Sequence, residues 1–301
     1  MKNIGYLGLG IMGNGMTCNL IQKCPKDTTV WGYDPVETCR ERFAQNGGRV
    51  AADAHELYAA CDAIFFCLPT NALVRATIED ILTNGRPGTY IVDMGASSPF
   101  LIREMHEKAA ALGFPLIDAP VSGGQSGAEA GTLTIMCGGR EEDFQAVRPY
   151  LEMMGTTVTY MGGPGCGDAT KIANNMMVGI HLCALGEAAA FATKAGIDLD
   201  RLFAAIMGGS AQSWVMDQKA PKLLSRDYSA SARMAVHLKD INNAMELAGS
   251  LNVDLPLTEI VLREMNYVKN RGLVDEDHCA VVKYYEDRMG VTVGGAEAKS
   301  E

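Results

Sequence analysis

Gly8-Leu9-Gly10-Ile11-Met12-Gly13 is the stretch that decides the fold of this chain. It follows a strand-like run, Asn3 to Gly8, and opens a helical one, Met12 to Gln22. In that context each glycine has its own task. The first makes the tight turn, the second lets a pyrophosphate approach the backbone, and the third permits close helix–strand packing. The anion then sits at a helix N-terminus, where free amides and the helix dipole favour negative charge. Leu9, Ile11 and Met12 belong to the same loop and are expected to touch the cofactor with the glycines. A second strand, Thr28 to Tyr33, ends at Asp34, 21 residues past Gly13. A carboxylate there accepts from both ribose hydroxyls of NAD and repels the 2′-phosphate of NADP. Arg40 and Arg42 are the nearest cations and partly offset that repulsion. The expected cofactor is NAD.

Beyond this loop, short apolar runs alternate with helical patterns, which implies βαβ units and a parallel sheet. The expected strands are Ala63 to Leu68, Tyr90 to Asp93, Pro115 to Asp118, Thr132 to Cys137 and Thr157 to Tyr160, with a helix at Glu141 to Met153. Glycine and proline then punctuate Met161 to Gly165, and strand-like runs largely disappear. Cys166 to Ala195 reads as one long helix, apolar nearly all round, as a helix buried among others would be. Further helices are expected at Asp200 to Met207, Arg233 to Ser250, Leu257 to Lys269 and His278 to Met289. The chain is therefore read as an α/β domain over 1–165 and an all-α domain over 166–301, joined by a long interdomain helix at about 166–195. Residues 294–301 are small and polar and read as a frayed tail.

Composition narrows the function. Of the 301 residues, 48% are hydrophobic and 21% charged, the balance of a soluble globular protein. A net charge of −10 argues against a nucleic-acid surface, which needs a basic footprint. It also gives an anionic substrate no long-range pull, so any carboxylate must be captured by local donors. Nine cysteines are scattered without CxxC spacing and no secretory signal opens the chain, so reduced thiols in a cytoplasm are expected. The five histidines make no ligand-spaced pair, and no metal is expected. No uninterrupted apolar run approaches the ~18–20 residues that span a bilayer, so no membrane partner is expected.

Two segments carry candidate chemistry. Lys171 and Asn175, four apart on the long helix, share one face, so an amine and a carboxamide can meet one substrate hydroxyl. A lysine ordinarily titrates near ~10.4, so one that accepts a proton near neutrality needs burial or a nearby positive charge. The other segment is the glycine-bounded run Asp118-Ala119-Pro120-Val121-Ser122-Gly123-Gly124, whose glycines let a ligand come close to backbone amides.

These two segments, the N-terminal GxGxxG, and the Lys239-Asp240 pair together resemble the β-hydroxyacid dehydrogenase family, over about residues 3 to 290. The resemblance implies a Rossmann-type N-terminal domain followed by a helical one. It implies a reversible NAD-dependent oxidation of a small 3-hydroxy acid, with a primary hydroxyl, to its semialdehyde. Lys171 would be the general acid/base, Asn175 would hold the substrate, and Ser122, Gly123 and Gly124 would clamp its carboxylate. Leu68, Pro69, Asn71 and Ala96 would line the nicotinamide side, and Lys239 would stand near the cofactor. Ala96 departs from the pattern, because relatives usually carry Ser or Thr there; the hydroxyl contact is lost or moved to Ser97 or Ser98. The segment from Gly208 to Lys219 would set substrate length. In it, Gln212 and Lys219 are candidates for a second carboxylate and Trp214 is a candidate pocket wall. His181 and His237 are read as structural. Relatives are commonly dimers or tetramers, so a homo-oligomer is expected, with the tetramer favoured. An imine-reductase-like relative and a non-catalytic cofactor-binding module compete with this reading; Lys171, which such relatives usually replace, argues against the first, and intact Lys171, Asn175 and Ser122 argue against the second.

Overall fold

The computed structural model of the protein describes residues 1–295 and divides the chain into two units, Met1–Lys171 and Ile172–Glu301. The first unit begins β1 (Asn3–Leu7), α1 (Ile11–Lys23), β2 (Thr29–Tyr33), α2 (Glu37–Gln45), β3 (Arg49–Val50) and α3 (Ala54–Ala60). It continues through β4 (Ala63–Phe66), α4 (Asn71–Asn84), β5 (Tyr90–Asp93), α5 (Pro99–Ala111), β6 (Leu116–Asp118) and β7 (Val121–Ser122). It ends with α6 (Gly124–Ala130), β8 (Leu133–Gly138), α7 (Glu141–Met154), β9 (Gly155–Gly162) and the first residues of α8 (Cys166–Lys194).

The sheet order β3-β2-β1-β4-β5-β6 is the doubly wound order that binds dinucleotides, with its switch point between β1 and β4. Successive residues of β4 alternate between two cores. Ala63 and Phe65 face one with Met16 and Leu20 of α1 and Val147 of α7; Ile64 and Phe66 face the other with Leu57 of α3, Ile78 of α4 and Met105 of α5. Strands covered on both faces read as unbroken apolar runs, which is why they stand out in the sequence. The sheet is not parallel throughout: β8 runs antiparallel to β6 and β7, and β9 then pairs parallel with β8. The ten residues 123–132 between β7 and β8 are fewer than a parallel crossover needs. β3 escaped the sequence reading because two residues at a sheet edge carry no period.

The second unit holds the rest of α8, then α9 (Leu199–Met207), α10 (Trp214–Ser225), α11 (Met234–Leu251), α12 (Pro256–Asn270), a 3₁₀ turn (His278–Val281) and α13 (Val282–Met289). Helix α10 is an element that the sequence reading does not include. Ser213 caps the helix by accepting from Met216 N, and Pro221 inside it disguises the pattern. By length and composition alone α8, with 29 residues and a mean hydropathy of 1.5 in its most apolar window, could cross a membrane. Asn174, Asn175 and His181 interrupt that run, and Leu182, Leu185, Ala189 and Ala190 pack into the core of the helical unit with Met234, Ile241 and Val261. Of the expected tail, Gly294 and Gly295 are described, with Gly295 N donating to Leu224 O; the rest lies outside the described residues.

Candidate functional site

The glycines of the first loop are needed for different reasons. Gly8 turns at φ 85°. A Cβ on Gly13 would lie 1.9 Å from Gly8 O, so the fold itself requires that glycine. A Cβ on Gly10 would meet nothing within 4 Å, so the space above Gly10 is open. Gly10 is also the N-cap of α1, with no side-chain cap and no acidic residue in the first turn. This leaves an anion site of helix amides beside the switch point, which fits a dinucleotide pyrophosphate. Leu9 is buried and its amide donates to Asp34 Oδ2 at 2.7 Å, while Val36 N donates to Asp34 Oδ1 at 2.8 Å. Ile11 is exposed and Met12 half-buried. Arg42 Nη2 donates to Leu9 O at 2.9 Å and Arg40 Nη1 to Asp34 O at 2.7 Å, so both cations brace the loop that carries the carboxylate.

At the same edge of the sheet, the strand ends hold the start of α8. Asp118, closing β6, accepts from Gly165 N and Asp168 N, both at 3.0 Å, and so caps the helix from outside. Cβ atoms on Gly138 or Gly167 would fall within 2.8 Å of its carboxylate, so those glycines make room for it. Burial pushes the Asp118 carboxyl above its usual range, against the pull of the amides. Asp168 Oδ1 in turn accepts from Ser97 N at 2.8 Å. Lys171 follows Asp168 by three residues on the anchored helix and is half-buried.

The departure at Ala96 has a structural sequel. Ser97 Oγ donates to Asp93 Oδ2 at 2.6 Å in a buried contact, and Ser98 N donates to Asn71 Oδ1 at 3.1 Å. The Ser97 hydroxyl therefore gives its proton to the loop and can offer another partner only its lone pairs. Leu68 and Pro69 follow β4, and a Cβ on Gly95 would lie 3.1 Å from Leu68 O, so the loops after β4 and β5 lie side by side. Ser122 ends β7, opposite Thr134 of β8. Gly123 and Gly124 take φ values of 130° and 62°, which L side chains rarely adopt, and open space lies where a Gly124 Cβ would be.

In the helical unit the amide of Asn175 is engaged at both ends. Its Nδ2 donates to Asp240 Oδ2 at 2.6 Å and its Oδ1 accepts from Asn174 Nδ2 at 2.9 Å. Lys239 Nζ lies 3.3 Å from Asp240 Oδ1. His237 Nε2 is 2.9 Å from Asn175 O, and its Nδ1 is 2.9 Å from His278 Nδ1. A carbonyl only accepts, so His237 Nε2 carries a proton; in the neutral ring its Nδ1 then accepts from His278 Nδ1. Burial, then the neighbouring His237 and Lys219, hold His278 well below the usual histidine range. Neither Asp240 nor Asn174 was a candidate from sequence; only the adjacency of Asp240 to Lys239 hinted at it.

Lys219 is corrected. It is buried, with Nζ 2.9 and 3.0 Å from the two oxygens of Asp277 and 3.0 Å from Ser231 Oγ. A desolvated ammonium needs such a partner, and it is not available for a substrate carboxylate. Trp214, expected as a packed wall, opens α10 with 61% of its surface exposed. Gln212 lies exposed in the link before it.

A family model described as the NAD binding domain of 6-phosphogluconate dehydrogenase matches residues 3–162. A second, described as NAD-binding of NADP-dependent 3-hydroxyisobutyrate dehydrogenase, matches residues 165–285. The chain is 35% identical over 298 residues to 2-(hydroxymethyl)glutarate dehydrogenase of Eubacterium barkeri, covering 98% of each chain. It is 34% identical to 2-hydroxy-3-oxopropionate reductase of Escherichia coli (strain K12), over 94% of this chain and 97% of the relative. Among solved structures it resembles Mycobacterium tuberculosis 3-hydroxyisobutyrate dehydrogenase with L-serine, with a TM-score of 0.84 and 32% identity over 94% of this chain and 98% of that one. The chain belongs to the β-hydroxyacid dehydrogenase family and is an NAD-dependent oxidoreductase acting on CH–OH groups.

Proposed function

We propose that this member of the β-hydroxyacid dehydrogenase family reversibly oxidises the primary hydroxyl of a 3-hydroxy acid to a semialdehyde. The substrate we favour is 2-(hydroxymethyl)glutarate, giving 2-formylglutarate, on the strength of the full-length similarity to that relative. 3-Hydroxyisobutyrate dehydrogenase and tartronate semialdehyde reductase activities are the alternatives. The observation that carries the reading is the anchored start of α8, where Asp118 and Asp168 hold the turn before Lys171 against the ends of the strands.

Bound NAD⁺ supplies the acceptor for the hydride that leaves the substrate carbon. Lys171 Nζ takes the hydroxyl proton, and in the reverse direction returns it to the forming alkoxide. Asn175, one turn along the same helix, orients that hydroxyl through its carboxamide. Ser122 Oγ and the amides of Gly123 and Gly124 hold the carboxylate, which an acidic chain cannot draw in from a distance. The loop Gly8 to Gly13 holds the pyrophosphate and Asp34 the adenosine ribose. Leu68, Pro69, Asn71 and Ala96 line the nicotinamide side, with Lys239 as a cofactor contact. NAD is preferred to NADP by more than about tenfold in kcat/KM, since Asp34 repels a 2′-phosphate.

The α/β part is the cofactor domain and the helical part the substrate and oligomerisation domain. A homo-oligomer, favoured as a tetramer, is supported by exposed Met177 and Phe191 on α8 and Leu257 and Ile260 on α12. A cytoplasmic setting is supported by nine free cysteines. An NADH absorbance assay over 3-hydroxy acids with one and with two carboxylates tests the whole reading. Turnover of a dicarboxylate with NAD⁺ is expected; inactivity over the panel would favour a cofactor-binding module without catalysis.

A further inference from the structure

We infer that Asp240 sets which way the Asn175 carboxamide faces while His237 holds the main chain of the same residue, a two-point clamp in which Asp240 is a positioning residue for substrate binding. This rests on the function proposed above. All the contacts lie within the helical unit. His237 and Asp240 are three apart on α11, hence on one face, and both are buried. Gly179, one turn beyond Asn175 on α8, lets the helices close: a Cβ there would lie 2.7 Å from Val261 Cγ1 and 3.6 Å from His237 Cε1. At that approach His237 Nε2 donates to the main-chain carbonyl of Asn175 at 2.9 Å, and Asp240 Oδ2 accepts from its side-chain Nδ2 at 2.6 Å.

The chemistry of the second contact gives it a direction. A carboxylate only accepts, so Asp240 welcomes the Nδ2 end of the amide and repels the Oδ1 end. Asn174 Nδ2 donates to Oδ1 at 2.9 Å, which enforces the same sense. A primary amide has two N–H donors and an oxygen with two lone pairs. The clamp uses one donor and Asn174 one lone pair, leaving one donor and one lone pair in a fixed sense. A substrate hydroxyl whose one proton goes to Lys171 can accept from that remaining N–H. Lys239, 3.3 Å from the other oxygen of Asp240, and His278, 2.9 Å from His237, steady the two jaws.

Asp240→Asn keeps the shape but adds a donor, so the Asn175 amide is held in its sense by Asn174 alone. KM for the hydroxy acid should rise at least about tenfold while kcat falls less, the pattern of lost substrate positioning. NADH affinity, read by fluorescence, should stay within about threefold, and Asp240→Glu should recover part of the loss. An activity-independent readout uses NMR with selectively isotope-labelled asparagine, assigning the Asn175 side-chain pair by its disappearance in Asn175→Ala. That pair should be single and slow to exchange in the wild type, and should shift and broaden in Asp240→Asn. Wild-type KM in Asp240→Asn, or an unmoved Asn175 pair, would overturn the clamp. If the wild type turns over no hydroxy acid, the proposed function fails, and the NMR result still decides the clamp.

Discussion

The two units of this protein satisfy buried carboxylates in different ways. In the α/β unit the acids at strand ends accept mainly from main-chain amides: Asp34 from Leu9 and Val36, Asp93 from Gly95, Asp118 from Gly165 and Asp168. In the helical unit side-chain donors take a larger part: Asp240 takes the Asn175 amide, Glu264 the Tyr285 hydroxyl, and Asp277 the Lys219 ammonium beside three main-chain amides. The first arrangement shapes loops and presents helix N-termini; the second fixes individual side chains. A dehydrogenase needs both, one to cradle the cofactor and one to aim substrate groups.

Breaking the side-chain kind should cost most. Lys219→Ala removes the ammonium paired with buried Asp277, an expected loss of about 3–5 kcal/mol in urea unfolding. A loss under about 1 kcal/mol would mean that the amides of Ser231, Ala232 and Cys279 suffice without the lysine. Asp118→Ala strands two buried amides at the start of α8 and should cost about 2–4 kcal/mol by the same measurement. Gly10→Ala and Gly13→Ala separate fold from ligand within the backbone-directed unit. Gly13→Ala should destabilise strongly, because its Cβ meets Gly8 O. Gly10→Ala should leave Tm nearly unchanged yet weaken NADH binding at least about tenfold.

The smallest effect is one of pH. Folded His278 resists protonation while the unfolded chain accepts a proton near 6.5, so stability should decline as pH falls through that range. Asp277, held below its ordinary 3.8 despite burial by His278 and Lys219, adds a loss only in stronger acid. His278→Gln should flatten the first decline and, by removing one of the groups that hold Asp277 down, lessen the second, as followed by thermal melts across pH.

The same contrast explains what could be read in advance. Gly8, Gly10, Gly13 and Asp34 announce themselves because main-chain geometry is encoded locally, by a turn, a cap or a strand end. Lys171 and Asn175 were legible as a helical pair for the same reason. The Asn175–Asp240 bond joins residues 65 apart and Lys219–Asp277 joins residues 58 apart, and no local pattern announces either. Lys219 thus reads as a substrate cation until its burial is known. Helix α10 was lost to Pro221, and the antiparallel turn of the sheet at β8 to a connection whose length alone decides it.

The central claim is that Lys171 moves the proton of a hydroxy acid beside bound NAD. Steady-state turnover of Lys171→Ala, with NADH affinity measured on the same sample, tests it most directly. The account predicts a fall in kcat of at least about 10²-fold with NADH binding intact; near-wild-type turnover would contradict it.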